Sequence, residues 1–440
     1  MPVKKTIFLF CFAALLLNLS LPLSASAEYS RRSPIKFQKT SLKNDEKTVH
    51  DYVERILKQI VRPASGLLPY PYIIPSAPGQ NAPTSRLKGT YLQMYDWDTF
   101  FVGLRLSMDK KTYLWKDAIL DFLAQTAPDG YTPRTLAPYR FWDYPDQCKP
   151  FLAQGAYLAS KAMRNFSWIT PQIFRKLALT VQYWENYRKG ADGLYVWRRS
   201  VESGVDNSAA DLMTPDNTAA GVDLNCYLVR EFKALSLIAL KLGMKKNAAK
   251  YLRKSARLAE LINAEMWSKK DKIYYSINSL TGRQIKIKDW TCFLPLWVGI
   301  ASKKRAEEMI QRHLLNPKEF WGKYGIPSLA FNNPLYNNAK LGFIPGYHTV
   351  SNWQGPVWIL PNYLIMLGIE HYGYHQEAVE IARKMVRLVA VDIQKNGSAH
   401  ENYNSRTGKP LNAPNFGSWD LLTDVMLREA QNNSNPTELK

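Results

Sequence analysis

Along most of the chain, apolar positions recur at three- and four-residue steps, the spacing that gathers them on one face of a helix. In "TVHDYVERILKQIVR" (48–62) these positions are Val49, Val53, Ile56, Leu57 and Ile60. The same period recurs near 97–108, 113–126, 149–164, 171–189, 223–242, 245–266, 292–300, 302–314, 356–372, 374–395 and 418–430. The pattern predicts about twelve helices. Strand-like stretches are few: "GLYVWRR" (193–199), "KIYYSIN" (272–278) and "RQIKIK" (283–288).

The helices come in pairs. Short turns such as "LGMKK" (242–246) and "YGYHQ" (372–376) alternate with long loops over 63–96, 127–148, 190–222, 267–291, 315–355 and 396–417. Helical hairpins in this order close as an inner and an outer ring, an all-α (α/α)6 barrel with its long loops on one rim. An open solenoid would show a fixed sequence period, and none is present. The barrel is expected to be one domain over 47–430, between a loose leader (28–46) and a flexible tail (431–440). The long loops are dense in Trp, Tyr, Pro, Gly, Asn and Asp, and connections of such length are commonly functional.

Residues 1–27 join a basic start, "MPVKK", to an apolar run and a small-residue "SASA" site, the pattern of a cleaved export signal. The chain is therefore expected to be periplasmic or secreted, with no membrane span after cleavage. Its formal net charge is +21, but Lys and Arg are scattered without a basic block after residue 31. That reads as a solvated basic surface rather than a nucleic-acid site. Cys148, Cys226 and Cys292 are too few and too widely spaced for a disulfide framework or a CxxC metal site, leaving one disulfide or three buried thiols open. His371 and His375 have i, i+4 spacing but straddle a helix break, so they read as surface, and no metal is expected.

Chemistry concentrates in four loop stretches. "YDWDTFF" (95–101) sets Trp97 and Asp98 at a helix start, where Asp98 would otherwise serve as a cap. "ESGVDNSAAD" (202–211) holds Glu202, Gly204, Asp206 and Asp211, "NWQGPVW" (352–358) holds Trp353, Gln354 and Trp358, and "HENYNSRTGKP" (400–410) holds Glu401 and Tyr403. Sugars present hydroxyls to polar groups and apolar C–H faces to aromatic rings, so a sugar pocket needs both. Hydrolysis of a glycosidic bond needs two carboxyl groups, and Asp206 and Glu401 are the pair best placed in aromatic-rich loops. A polysaccharide lyase using Tyr403 with His400 and a non-catalytic sugar-binding protein are the alternatives.

At these residues the chain resembles glycoside hydrolase family 63 and its relatives, the family 37 trehalases. "ESGVDNS" (202–208) is similar to the family's "ESGMDNS". "VDLNCYLVREFKALSLIALKLG", "MWSKKDKIYYSINSLTGRQI", "YGIPSLAFNNPLYN", "NWQGPVWILPNYL", "ENYNSRTG" and "FGSWDLL" then follow in the family's order. The resemblance spans roughly 90–425. It implies an inverting α-glycosidase that acts on an α-glucoside or α-mannoside, such as an oligosaccharide, a disaccharide or a glycosylglycerate, without a cofactor. By the same resemblance Asp206 is the general acid and Glu401 the general base. Trp97, Asp98, Glu202, Gly204, Trp353, Gln354, Trp358 and Tyr403 fall in its sugar-binding set, with Glu202 and Asp211 also bracing the Asp206 loop. Two departures bear on the substrate: Gln354 stands for the arginine of "WRGPVW", and "NSAAD" for "NSPRW". The resemblance leaves the oligomeric state unassigned.

Overall fold

Two kinds of helix alternate along the chain. Six carry a single apolar stripe: α1 (Lys39–Ile60), α3 (Thr112–Ala124), α5 (Pro171–Tyr187), α8 (Lys245–Leu261), α10 (Lys303–Met309) and α12 (His375–Asn396). Each leads into a more fully enclosed partner: α2 (Asp96–Leu106), α4 (Leu152–Met163), α7 (Val222–Lys241), α9 (Leu294–Val298), α11 (Ile359–His371) or α13 (Thr423–Gln431). One short helix, α6 (Ser200–Ser203), lies between α5 and α7. The computed structural model describes residues 39–77, 91–139, 146–344 and 349–440. Contacts divide the chain into Met1–Lys39 and a compact body, Thr40–Lys440. The expected export segment, the leader before Lys39 and His348 lie outside the described residues.

The contrast between the two sets follows from position. Every residue of α2 is buried, as is α11 from Ile359 to Ile369, so these helices are walled by neighbours on all sides. On α8 only Ala248, Tyr251, Ser255 and Leu258 are buried, at the three- and four-residue steps of a one-sided helix. The enclosed helices pack in the cyclic order α2, α4, α7, α9, α11 and α13, and the turn Trp419–Leu422 before α13 returns to α2. The inner ring is closed, which rules out the open solenoid. This is the (α/α)6 barrel.

Local chemistry fixes several joints of the ring. Gly103 lets Trp115 of α3 lie against α2, since a Cβ there would stand 2.1 Å from the indole. No side chain of its own caps α4. Instead Glu231 of α7 accepts the N–H groups of Ala153 (2.6 Å) and Gln154 (3.0 Å), placing a carboxylate at the positive end of the helix. On α5, Thr170 Oγ1 accepts the Ile173 N–H while Pro171 occupies the first turn.

The periodicity located twelve of the helices within a few residues, and three details differ. Residues 39–46, expected as leader, form the first turns of α1, where buried Asp45 pairs with Arg387 of α12 at 2.8 Å. "GLYVWRR" forms no strand. It pairs only through single bridges, Lys189 with Tyr195 and Trp197 with Ala219, while the other two stretches give two-residue strands. The tail is docked rather than loose: buried Thr437 accepts Trp297 Nε1–H on its hydroxyl (2.9 Å) and buried Arg230 on its carbonyl, and Leu439 is buried. Cys148, Cys226 and Cys292 are buried free thiols. Among the described residues no helix is long and apolar enough to cross a membrane.

The docked tail predicts a stability effect. Deleting residues 437–440 takes the Thr437 hydroxyl from the Trp297 N–H and the Thr437 carbonyl from Arg230 Nη2, while Arg230 Nε keeps Gln154 Oε1, at about 1–3 kcal/mol for each donor left unsatisfied. The denaturation midpoint should fall accordingly. An unchanged midpoint would show that the tail contributes nothing.

Candidate active site

Five of the six connections that lead into an inner helix reach one open cavity, about 560 Å³ when the solvent space at its mouth is counted. Pro75, Tyr91 and Tyr95 come from before α2, and Trp97 and Asp98 from its first turn. Arg134 precedes α4, Val201, Gly204 and Asp206 precede α7, Ser351 and Trp353 precede α11, and Glu401, Phe416 and Trp419 precede α13. Closure of the ring is what makes these distant stretches converge.

Gly204 shapes the Asp206 loop. Helix α6 ends there in the left-handed conformation (φ +79°), and a Cβ would stand 2.5 Å from Trp97 Cζ2 and 2.9 Å from Lys149 Cε. The backbone therefore passes directly over Trp97 and turns Asp206 into the cavity. Glu202, one turn earlier, points the other way. It is fully buried, accepts the N–H of Gln147 (2.9 Å) and of Arg198, and faces Arg188 at 3.5 Å. Glu202 braces the loop and does not line the cavity. Asp211 is also off the wall, opening a short turn whose N–H donates to Ser208 Oγ.

Glu401 lies on the strand His400–Tyr403, paired antiparallel with Pro410–Pro414, and the register shifts between His400 and Asn402. Such an irregularity re-aims a side chain, and here it faces Glu401 into the cavity. Its Oε1 accepts Tyr91 Oη–H (2.9 Å) and Ser351 Oγ–H (3.0 Å), and its Oε2 accepts the Ala413 N–H at 3.4 Å. Burial, reinforced by the charge of Asp206, raises the Glu401 pKa to about 7 against the pull of these donors. The Ser351 N–H donates to Asp206 Oδ2 at 3.3 Å. One residue thus touches both carboxylates.

The remaining wall is aromatic. Trp97 lies 5.8 Å from Trp353 and 5.5 Å from Trp419, ring centre to ring centre. Asp98 is no helix cap: its Oδ1 accepts Ser418 Oγ–H at 2.5 Å, and burial raises its pKa to about 7. Asp96 instead supports the turn, binding its own Trp97 N–H, the Lys149 N–H and the buried Lys149 ammonium.

Three further residues expected at the sugar stand behind the wall. Trp358 is fully buried and stacks on Trp353 at 3.8 Å and 5° between planes, so it backs the ring that faces the cavity. Gln354 Nε2–H is spent on the Asn207 carbonyl (3.0 Å), and its Oε1 accepts from Asn337 (3.3 Å). Tyr403 is fully buried, donates to Asp392 (3.1 Å), and pairs its backbone with Val357. Asp206, Glu401, Trp97, Asp98, Gly204 and Trp353 do share the cavity. Tyr91, Tyr95, Arg134, Ser351, Phe416 and Trp419 join them without having been singled out in the sequence. Of these, Tyr95 lay in the quoted stretch "YDWDTFF", and Phe416 and Trp419 in "FGSWDLL"; Tyr91, Arg134 and Ser351 carried no signal.

Solved structures share this architecture. The GH63 mannosylglycerate hydrolase from Thermus thermophilus in complex with Tris superposes at a TM-score of 0.67 with 18% identity, covering 86% of this chain and 100% of that one. Neutral trehalase Nth1 from Saccharomyces cerevisiae gives 0.58 at 17% identity, with 83% and 76% covered. The fold is that of the (α/α)6 glycoside hydrolases. Residues 91–419 match the mannosylglycerate hydrolase MGH1-like glycoside hydrolase domain, and the chain belongs to that family. Mannosylglycerate hydrolase of Rubrobacter radiotolerans is 28% identical over 205 residues, covering 46% of this chain and 42% of the relative. The Selaginella moellendorffii mannosylglycerate hydrolase MGH1 is 30% identical over 139 residues, covering 31% and 24%. The matched segments span less than half the length of these relatives.

The Gly204 geometry predicts that Gly204→Ala is costly. A left-handed non-glycine residue in contact with Trp97 should destabilise the fold by about 1–3 kcal/mol and quench or shift tryptophan fluorescence. A variant with wild-type stability and spectrum would contradict the close packing.

Proposed function

We propose that this chain is an exported α-glycosidase that inverts the anomeric centre, with Asp206 as general acid and Glu401 as general base. The observation that carries the reading is the convergence of these two carboxylates on one aromatic-walled cavity, where Ser351 bonds to both. Asp206 gives its proton to the leaving glycosidic oxygen as that bond breaks. Glu401 takes a proton from water as the water oxygen bonds to the anomeric carbon from the opposite face. Trp97 and Trp353 offer apolar surface to the sugar ring, and Asp98 accepts from its hydroxyls.

The substrate class is an α-mannoside or α-glucoside, with mannosylglycerate foremost because two named relatives are mannosylglycerate hydrolases. Gln354 bonds to the loop and does not line the cavity, so it is not the contact for a glycerate carboxylate. Arg134 is the cation on the cavity wall among the described residues. The lyase alternative loses support, because Tyr403 is buried against Asp392 and away from the cavity. Export rests on the basic, apolar and small-residue order of residues 1–27.

Two experiments test the roles. Asp206→Asn and Glu401→Gln should each fold and lose about 10²–10⁴-fold in rate on an unactivated glycoside. With a good leaving group, Asp206→Asn should recover relatively more activity than Glu401→Gln, because the departing group no longer needs a proton. The opposite pattern would exchange the roles, and full activity in either variant would remove that residue from the mechanism.

The second is the pH profile. Glu401 must be ionised to act, so kcat/KM should rise with pH through about 7 and be lost below it. Tyr91→Phe removes a donor that favours the ionised form and should move the rise to higher pH. A rise centred at the ordinary value of 4.5 would contradict the burial of the base.

A further inference from the structure

We infer that Ser351 is a positioning residue for the proposed hydrolysis, and that it leaves Oε2 of Glu401 as the oxygen that takes the proton from water. The inference rests on Glu401 being the base. A carboxylate offers about four acceptor sites, two on each oxygen. On Glu401 both sites of Oε1 are filled, by Tyr91 Oη–H at 2.9 Å and Ser351 Oγ–H at 3.0 Å. Oε2 has one long contact, the Ala413 N–H at 3.4 Å, and keeps a site for water. The two hydroxyl donors also fix the plane of the carboxylate, so Oε2 is aimed as well as open.

Ser351 is itself tightly held. It ends the hairpin Leu341–Phe343/Thr349–Ser351, paired with Leu341. Its neighbour Asn352 accepts from Asn207 Nδ2 (3.1 Å) and donates to Asn337 (2.8 Å) and the Ala339 carbonyl (2.9 Å). Asn207 Oδ1 in turn accepts the Trp353 N–H at 2.6 Å. Asn207 follows Asp206 in the chain, so the neighbours of the acid and of Ser351 are bonded to each other. The hairpin sits close on this junction: a Cβ at Gly342 would stand 2.4 Å from Asn207 Nδ2. The amide pair sets the distance from Asp206 to Ser351, and the Ser351 hydroxyl carries that register to Glu401. Protons balance in the step so defined: water loses one to Oε2, and the leaving oxygen gains one from Asp206.

The test uses the full chain and the 4-nitrophenyl α-mannoside or α-glucoside that the wild type cleaves. Ser351→Ala keeps the main-chain N–H to Asp206 but removes the donor to Oε1. It should lower kcat about 10–100-fold, the size of a small misplacement, with KM changed less than about three-fold. The acid limb of kcat/KM should move up by about one to two pH units, as for a lost hydrogen bond to a charged group, while the alkaline limb stays. Ser351→Thr should restore both kcat and limb, and Ser351→Cys, a weaker donor of similar size, should fall between and serves if the alanine variant does not fold. A wild-type limb in the alanine and cysteine variants, or loss of activity that threonine does not rescue, would overturn the inference. Glu401→Gln, run alongside, separates the two levels. If it remains active, the assignment of the base fails; if it is inactive while Ser351→Ala is unaltered, only the role of Ser351 fails.

Discussion

Three carboxyl groups, Asp98, Asp206 and Glu401, share one cavity walled mainly by aromatic rings, and that shared burial is the constraint on which the rest of the structure turns. Removing a carboxylate from water disfavours its charged form, and a second carboxylate nearby adds to the effect. Both causes act on Glu401, and burial dominates at Asp98, so each is raised to about 7. Hydrogen-bond donors work against this rise at Glu401 and Asp98 by favouring the ionised form. The protein supplies Ser418 to Asp98, Tyr91 and Ser351 hydroxyls to Glu401, and the Ser351 N–H to Asp206. The donors and the burial together leave Glu401 and Asp98 near neutrality, where a carboxylate proposed as a general base is most effective.

Those donors arrive from widely separated stretches, since Ser351 lies 145 residues from Asp206 and 50 from Glu401. Only a closed ring brings them together. Five of the six connections that enter an enclosed helix reach the cavity, each placing one to three residues on its wall. The stack of Trp358 on Trp353, a contact of about 0.5–1.5 kcal/mol beyond burial, makes the wall rigid at the point where the chain enters α11. Glu231 at the start of α4 and Asp96 with Lys149 at the start of α2 do comparable work on other joints.

The barrel was legible because a stripe of apolar residues at helical spacing has one main cause, and twelve stripes in hairpin order leave few architectures. That Asp206 and Glu401, the pair proposed as acid and base, face one cavity was legible from the carboxylates in aromatic-rich loops and from the order of the family motifs. What the sequence hid was direction. Glu202 and Asp206 are four residues apart, and only the left-handed turn at Gly204 sends one to Arg188 and the other into the cavity. Trp353 and Trp358 look equivalent in "WQGPVW", yet stacking puts one in front of the other. Ser351 and Tyr91 had no periodic or compositional mark, because a hydroxyl becomes significant only by what stands within hydrogen-bond reach. The docked tail was missed for a similar reason: Thr437 is an ordinary polar residue until Arg230 and Trp297 are found beside it.

The central claim is that water, drawn toward Glu401, attacks from the face opposite the bond that Asp206 helps to break. The anomeric form of the first-formed sugar reports this directly. Proton NMR of an α-mannoside or α-glucoside, followed from the start of hydrolysis and faster than mutarotation, should show the β anomer appearing first and the α anomer only later as equilibrium is reached. Initial release of the α anomer would mean retention through a covalent intermediate, and would contradict the assignment of Glu401 as a base acting on water.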